Sequence, residues 1–506
     1  MDTVSPVVFR FFDEAMKAFP SLTARTARIL LFAGALAGAP AARADGLPDL
    51  GEAARAELSP QMERKIGESI MNEIRLHEPS YISDPEVGDY LNTLGRRIVA
   101  AGSEATGNFH FFAIRDDSIN AFAMFGGFIG VNSGTLLTAQ SESEVAGVIA
   151  HEIAHVTQNH LVRQIANERQ MTLPSILVML AGVLAARSNS SVAAASIVGA
   201  QAGVVQSQLA FTRDYEREAD RVGFQMLLKA GFDPRGMSDF FERLQSAGRL
   251  YESNAPVYLR SHPLTIERLS DMQNRAQSSA YKQVVNSIDF ELVRAKLRAT
   301  QGMPREAVAE FERRLQEKKY TSLAATRYGL AVAQMRVKNP AAAQQEIDAV
   351  QKLKVVSPMI FSLSAEIREA LGDASGAQTI YRNALQRYPH ARGLVYGYAR
   401  LLHSQRQYDK ALQFVNAQLQ INLSDFELHE IQAQIYAAQG KRLLQHRALA
   451  EFYALQGLPG LAIEQLQLAQ QATDGNFYEQ SVVDARLREL RRLRDEDDRL
   501  RKSGGL

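Results

Sequence analysis

The sequence contains no cysteine and no tryptophan among its 506 residues. Without cysteine the chain can form neither a disulfide framework nor a thiolate metal site. A metal ion could therefore be bound only by histidine, aspartate or glutamate side chains. The absence of thiols also suits an exported protein, because free thiols would be oxidised outside the cytoplasm.

An excess of charge of one sign is also missing. Fifty-seven basic and 56 acidic residues give a formal net charge of +1. The net charge is too small to attract nucleic acid electrostatically. We therefore expect no nucleic-acid partner, and recognition of other partners only through local surfaces. The composition, 46% hydrophobic and 22% charged, is that of a folded protein, and the length favours two or more domains.

The apolar run near the N-terminus, Ile29 to Ala42, is shorter than the about 20 residues that span a bilayer. It follows Arg25 and Arg28 and ends at Ala42-Arg43-Ala44, an A-x-A cleavage pattern. This layout predicts a signal peptide over residues 1–44, removed before Asp45.

A second apolar segment, residues 171–210, has its longest unbroken run at Ile176–Ala186. That run suits a buried or interfacial hairpin better than a spanning helix. We predict an apolar cover or hairpin for this segment, with ordinary core helices and a membrane segment as alternatives.

The C-terminal part has a helical period of 34 residues. Ala343, Ala377 and Ala411 are each 34 residues apart, and each follows a turn signal. This period predicts tetratricopeptide repeats over residues 290–490, which stack into a solenoid whose concave surface suits a partner protein. The alternative is an irregular helical domain with coincidental spacing. A charged C-terminal tail, residues 491–506, is expected to follow.

Residues 45–285 precede the repeats and read mainly as helices. Short β-type runs lie between Phe109 and Val131, and Ser141 with Glu144 has the spacing of a capping box. The predicted fold class is mainly α, with a small β element in this region, followed by an α-solenoid of tetratricopeptide repeats.

The sequence His151-Glu152-Ile153-Ala154-His155 carries the chemistry. Histidines four residues apart lie on one face of a helix, so both rings can reach one metal ion. Glu152 lies beside the first ring, where a carboxylate can take a proton from water and pass it to a leaving amine. The apolar residues before His151 predict the buried helix that such a site needs. We therefore predict a catalytic zinc site in a zincin-type metallopeptidase domain over residues 45–285.

The third ligand is left open by spacing alone. His160 lies nine residues after His151, where the metzincin pattern needs ten, so we discount it. Glu216 and Asp220 share a helical face and could supply a ligand and its hydrogen-bond partner, with Glu218 pointing away as a surface charge. An exposed acidic helix paired with neighbouring arginines is an equally good interpretation.

Together these residues resemble a known family, the periplasmic β-barrel assembly-enhancing proteases, which are gluzincin zinc peptidases. The resemblance covers nearly all of the chain after the signal and is strongest through about Arg275. The strings that carry it are the His151 motif, Leu47-Pro48-Asp49, Phe109-His110-Phe111-Phe112, Ile119-Asn120-Ala121-Phe122-Ala123, Phe125-Gly126-Gly127, Glu216-Arg217-Glu218-Ala219-Asp220-Arg221 and Ser261-His262-Pro263-Leu264.

The resemblance implies one Zn²⁺ per chain, held by His151, His155 and Glu216. It implies that Glu152 is the general base and that Asp220 is a catalytic-site residue that orients a ligand histidine.

It further implies that His262 can occupy the fourth zinc position as a self-inhibiting switch, and that Arg268 lies near the site. From the sequence alone, a histidine before proline is an ordinary loop residue more often than a switch.

The segment Asn120–Val131 is predicted to form the edge strand along the substrate cleft. An edge strand binds extended polypeptides through backbone hydrogen bonds, which suits unfolded substrates. The alternative is a hairpin that only supports the core. The predicted substrate-strand residues are Asn120, Ala121, Phe122, Gly126 and Gly127.

The expected function is that of a periplasmic metalloendopeptidase of a Gram-negative bacterium. Peripheral association with the outer membrane is compatible with this expectation. By resemblance, its substrates are misfolded or stalled outer-membrane proteins, and its repeats dock on the β-barrel assembly machinery. The alternative is a mainly non-proteolytic scaffold or chaperone with a self-inhibited zinc site.

Overall fold

The fold is taken from a computed structural model, which describes residues 59–102, 107–167, 212–250, 257–280 and 282–502. The predicted signal peptide and the predicted cover at 171–210 lie outside these residues. None of the helices in the described ranges combines the length and apolarity needed to cross a bilayer.

The N-terminal region contains nine helices and four strands within the described residues. Their bounds are α1 Pro60–His77, β1 Tyr81–Ile82, α2 Pro85–Ala101, β2 His110–Ile114, β3 Ala121–Met124, β4 Phe128–Asn132, α3 Ser133–Thr138, α4 Glu142–Thr157, α5 His160–Asn167, α6 Arg213–Lys229, α7 Arg235–Leu250, α8 Val257–Ser261 and α9 Ile266–Ser278.

Capping side chains decide where several of these helices begin. Ser59 accepts a hydrogen bond from the Met62 amide, and Pro60 occupies the first helical position of α1. Ser141 likewise accepts from the Glu144 amide at the start of α4. The predicted capping box is only half formed, because the Glu144 carboxylate accepts from the Gln140 amide instead and pairs with Arg243.

The four strands form one mixed sheet in the order β1-β2-β4-β3. Strand β2 runs parallel to β4, with His110 opposite Phe128, and β3 runs antiparallel to β4. The edge strands of the described sheet are therefore β1 and β3. Of the predicted edge segment Asn120–Val131, only the part in β3 lies at an edge, because β4 is an inner strand.

Gly126 and Gly127 form the short 3-10 turn between β3 and β4, with φ angles of 70° and 81°. A Cβ at Gly126 would lie 2.7 Å from the Cα of Arg64, and one at Gly127 would lie 2.9 Å from the Asn108 carbonyl oxygen. Only glycine fits both the left-handed backbone and this close packing. The two glycines thus shape the turn against α1.

The C-terminal region consists of paired helices. Their bounds are α10 Ile288–Thr300, α11 Pro304–Gln316, α12 Leu323–Arg336, α13 Pro340–Lys352, α14 Pro358–Ala370, α15 Ala374–Arg387, α16 Arg392–Ser404, α17 Tyr408–Ile421, α18 Phe426–Ala438, α19 Arg442–Leu455, α20 Pro459–Gln471 and α21 Phe477–Lys502.

The predicted repeat is confirmed in the backbone of the turns. Lys338, Gly372, Arg406 and Gly440 each adopt positive φ directly before the second helix of a pair, and they are 34 residues apart. The alanines of the same period, Ala343, Ala377 and Ala411, are fully buried. A small side chain lets the helices cross closely, so each pair packs on its neighbours.

First helices of the repeat pairs contact the N-terminal region. Lys296 on α10 pairs with Asp84 and Glu86 at the start of α2, and Arg392 on α16 pairs with Asp89. Part of the surface that the repeats offer is thus occupied by the chain's own N-terminal region. This contact covers part of the repeat surface that the sequence predicts to bind a partner protein.

Candidate active site

Helix α4 holds the predicted catalytic motif in the core. His151 and Glu152 are fully buried and His155 is 1% exposed. As the four-residue spacing predicts, the two histidine rings lie side by side, with their Nε2 atoms 3.0 Å apart. Two ring nitrogens aimed at the same point are typical of metal ligands.

Helix α6 brings the carboxylate. Gly223 lies where α6 meets α4, and a Cβ there would come within 3.0 Å of the backbone of Ala150 and His151. This close approach places the oxygens of Glu216 3.4 Å from the Nε2 atoms of both His151 and His155. Glu216 and Asp220 are both buried, so the alternative of an exposed acidic helix is wrong for these two residues.

The donor set fits zinc. In a tetrahedral site with bonds of about 2.0–2.1 Å, ligand atoms lie about 3.3 Å apart, and the distances here are 3.0 to 3.4 Å. Oε2 of Glu152 is buried and has no hydrogen-bond partner within the described ranges. This leaves a carboxylate oxygen beside the ligand atoms that can accept a proton.

Arg268 on α9 ties the carboxylates together. Its guanidinium makes two hydrogen bonds to Asp220, of 2.7 and 2.8 Å, and lies 2.7 Å from Glu216. Burial alone would raise the pKa of Asp220, but hydrogen bonds from Arg268 and His151 outweigh it and lower that pKa. Asp220 therefore stays ionised, with Oδ1 3.0 Å from Nδ1 of His151.

His262 lies inside the ligand cluster. It is 2% exposed, and its Nδ1 lies 2.9 Å from Glu216 and 3.4 Å from Nε2 of His151. Together with His151, His155 and Glu216 it forms a group whose ligand atoms all lie within 4.8 Å of one another. The geometry is that of four potential ligands around one point.

Tyr258 is a site residue that the sequence reasoning missed. It lies one turn before His262 on α8, and the two rings stack with centroids 4.5 Å apart. Its hydroxyl is 3.4 Å from Glu152, and its amide donates to the Ile119 carbonyl. In the sequence, the feature that links Tyr258 to the site is its position four residues before His262.

The structure agrees with the sequence that His160 is not a ligand, but it differs from expectation for Glu218. His160 is fully buried, and burial lowers its pKa to about 4. Its ring contacts His155 on the side away from the ligand cluster, so it is not the third ligand. Glu218 is not a free surface charge, since it pairs with Arg163 and hydrogen bonds with His160.

The predicted substrate-strand residues are divided between two places. Ala121 and Phe122 lie on the edge strand β3, and the buried Asn120 precedes it, with its amide donating to Thr135. Gly126 and Gly127 lie in the turn against α1.

Comparison with known proteins places these features in a family. Residues 87–276 match peptidase family M48, and residues 369–435 match the tetratricopeptide repeat. The chain is 31% identical to the beta-barrel assembly-enhancing protease of Escherichia coli (strain K12), covering 91% of this chain and 94% of that protein. It is 32% identical to the putative beta-barrel assembly-enhancing protease of Vibrio cholerae, covering 88% and 92%. A mitochondrial metalloendopeptidase OMA1 of Schizosaccharomyces pombe is 30% identical over 36% of this chain and 51% of its own length.

Proposed function

Because this chain belongs to peptidase family M48, we propose that it is a zinc endopeptidase of the periplasm that degrades misfolded or stalled outer-membrane proteins and assists their assembly. The observation that carries the proposal is the convergence of His151, His155 and Glu216 on one buried point beside Glu152. The name of the relatives that match over nearly the whole chain supports the substrate class.

Each residue has a defined part in peptide hydrolysis. His151, His155 and Glu216 would hold zinc, which when bound polarises a carbonyl group and acidifies water. Glu152 takes the proton of the attacking water and delivers it to the leaving amine. Asp220 holds the outer nitrogen of His151, and Arg268 neutralises the buried carboxylates.

The edge strand β3 is the proposed binding element for substrate. Its outer side has no strand partner in the described sheet, so it can pair with an extended polypeptide through backbone groups. Such pairing depends weakly on side chains, as degradation of misfolded proteins requires. The repeats are the proposed docking element for the β-barrel assembly machinery.

His262 is the proposed switch of this site. Its ring lies where a fourth ligand would lie, and it stacks on Tyr258 of α8, the short helix that ends directly before His262. Withdrawal of α8 would remove both rings and admit water and substrate. The buried position of His262 also favours a second candidate function, a scaffold or chaperone whose site stays closed.

The direct test measures zinc content and casein cleavage for the chain from Asp45 onward and for Glu152→Gln. We expect one zinc per chain in both, and cleavage lower by about 10²–10⁴-fold in the variant, because only the proton acceptor is lost. A folded chain without stoichiometric zinc would contradict the metal assignment.

Expression of Glu152→Gln in cells that lack the protein distinguishes the two candidate functions. If Glu152→Gln fails to clear stalled outer-membrane proteins, proteolysis is the main function. Full rescue by the same variant would favour the scaffold.

A further inference from the structure

The two ligand histidines are supported differently on their outer nitrogens. Asp220 contacts Nδ1 of His151 directly, at 3.0 Å. Nδ1 of His155 instead lies 2.9 Å from Nδ1 of His160, whose Nε2 lies 3.1 Å from the Glu218 carboxylate. Metal-binding histidines normally donate the other ring N–H to an acceptor, which fixes the tautomer and the ring orientation.

From this arrangement we propose that His160 is a positioning residue, which accepts the outer N–H of His155 and is itself held by Glu218 and Arg163. We refer to His160, Glu218 and Arg163 as the His160 relay. The inference rests on the proposed metal role of His155. It assigns to His160 a function that is neither that of a ligand nor that of a catalytic group.

The tautomers follow from hydrogen-bond chemistry. A ring nitrogen that binds a metal carries no proton, so His155 must carry its proton on Nδ1. Nδ1 of His160 then accepts that proton's hydrogen bond, and its Nε2–H donates to Glu218. Arg163 donates to the same carboxylate oxygen at 2.9 Å. Each donor along the relay meets an acceptor.

The backbone places His160 by interrupting the helix. Five residues further along a continuous helix, a side chain would point about 140° away from His155. Here α4 ends at Thr157, and Asn159 adopts a left-handed conformation with φ of 52° before α5 begins at His160. Asparagine tolerates this conformation better than most residues. The break turns the ring of His160 back onto His155.

The relay is anchored on the helix that supplies Glu216. The ring of His160 stacks on Tyr215 with centroids 4.7 Å apart, and the guanidinium of Arg163 lies 4.6 Å from the same ring. Tyr215 and Glu218 flank Glu216 on α6. One helix thus supports both ligand histidines, His151 through Asp220 and His155 through Glu218 and His160.

Two substitutions at His160 separate positioning from packing. His160→Asn keeps an oxygen acceptor near the position of Nδ1, whereas His160→Gln keeps a donor toward Glu218 but has no acceptor there. We expect the glutamine variant to lose zinc to a chromogenic chelator about 10–100-fold faster than wild type, because partners of metal ligands contribute that much to affinity. The asparagine variant should stay closer to wild type. Packing alone predicts the reverse order, since glutamine fills the space of histidine better.

A second readout is the visible absorption of the Co²⁺-substituted chain, which reports ligand geometry. We expect it to change in His160→Gln and to be restored toward wild type in His160→Asn. Glu218→Gln should shift zinc loss in the same direction by less, because an amide oxygen still accepts from His160. Its matched control is Glu267→Gln, which removes an exposed partner of Arg217 and should leave zinc loss unchanged.

Wild-type rates of zinc loss in a folded His160→Gln variant would overturn the proposal, as would equal acceleration in the asparagine and glutamine variants. If His160→Gln does not fold, Glu218→Gln decides, and zinc loss equal to that of Glu267→Gln would overturn the relay. A wild-type chain that binds no zinc would instead refute the proposed function.

Discussion

The two regions of this chain bury different kinds of side chain. Among the described residues, every buried acidic, basic or histidine side chain lies before α10, the first helix of the C-terminal region. The buried polar residues of the repeats are Thr326, Gln334, Ser357, Ser362, Ser364, Gln432 and Gln456. Among their described residues, the repeats therefore bury only apolar and uncharged polar side chains.

This difference separates two ways of stabilising structure. Each repeat packs against its neighbours in sequence, so its stability is a sum of short-range apolar contacts. The peptidase core instead holds charges that must be paired with partners far along the chain, such as Arg268 with Asp220. Pairing of buried charges is specific and is costly to break. Among the described residues, the active site is thus expected to tolerate substitution less well than the repeats.

The largest effect on stability is expected from Arg268→Met. The change removes the guanidinium that lies against both Glu216 and Asp220, so each buried carboxylate loses its arginine partner. Breaking a buried pair costs about 3–5 kcal/mol. The free energy of unfolding in urea, measured with saturating zinc and with chelator, checks this.

Arg217→Met is the matched control for this change. Arg217 also pairs with two acidic residues, Asp214 and Glu267, but its side chain is 47% exposed. Pairs in contact with water contribute little, so the free energy of unfolding should barely change. Equal effects of the two substitutions would refute the idea that burial makes the peptidase charges indispensable.

The corresponding test in the repeats is Ala377→Leu. Ala377 is fully buried at a helix crossing, so a larger side chain must push the two helices apart. Overpacking of this kind costs about 1–3 kcal/mol. Zinc content and the cleavage activity per folded molecule should not change. The exposed Ser375→Leu on the same helix is the control, and zinc loss in Ala377→Leu would show that the two regions are not independent.

Sequence reasoning succeeded where the determining contacts are local. The repeat period and the pairing of His151 with His155 follow from helical geometry within a few residues, and both are present in the structure. The family match confirms the metallopeptidase fold and the repeats.

The sequence does not predict the position of a residue where a long-range contact determines it. Spacing alone could not choose between a ligand and a surface charge for Glu216, because the choice depends on how closely Gly223 lets α6 approach α4. For the same reason Tyr258 was missed, and the contact of His160 with His155 was not predicted. The left-handed backbone at Asn159 positions His160, and the docking of α8 beside Ile119 positions Tyr258. Neither feature produces a periodic pattern in the sequence.

A smaller effect, on activity rather than stability, is expected from His262→Ala. If the closed site holds about nine tenths of the molecules, removing the ring should raise casein cleavage about tenfold. Zinc content should be retained, because His151, His155 and Glu216 remain. Unchanged or lower activity with full zinc would contradict the switch.

The smallest effect is expected where the two regions meet. The Asp89 carboxylate lies 2.5 Å from Nε of Arg392 and accepts from the Arg392 amide at 2.9 Å. Because α16 has no capping side chain of its own, Asp89 caps a repeat helix from the peptidase region.

Asp89→Ala should therefore lower the free energy of unfolding by about 1 kcal/mol, which combines a lost cap with a partly exposed ion pair. A double-mutant cycle with Arg392→Met measures how much of this comes from the side-chain pair, since the amide contact survives in the arginine variant. If the cycle assigns all of the loss to the side chains, the cap contributes nothing and the regions are joined by charge alone. If it assigns little, the backbone amide of a repeat helix depends on the peptidase region for its hydrogen bond, and the repeats are less self-sufficient than their apolar core implies.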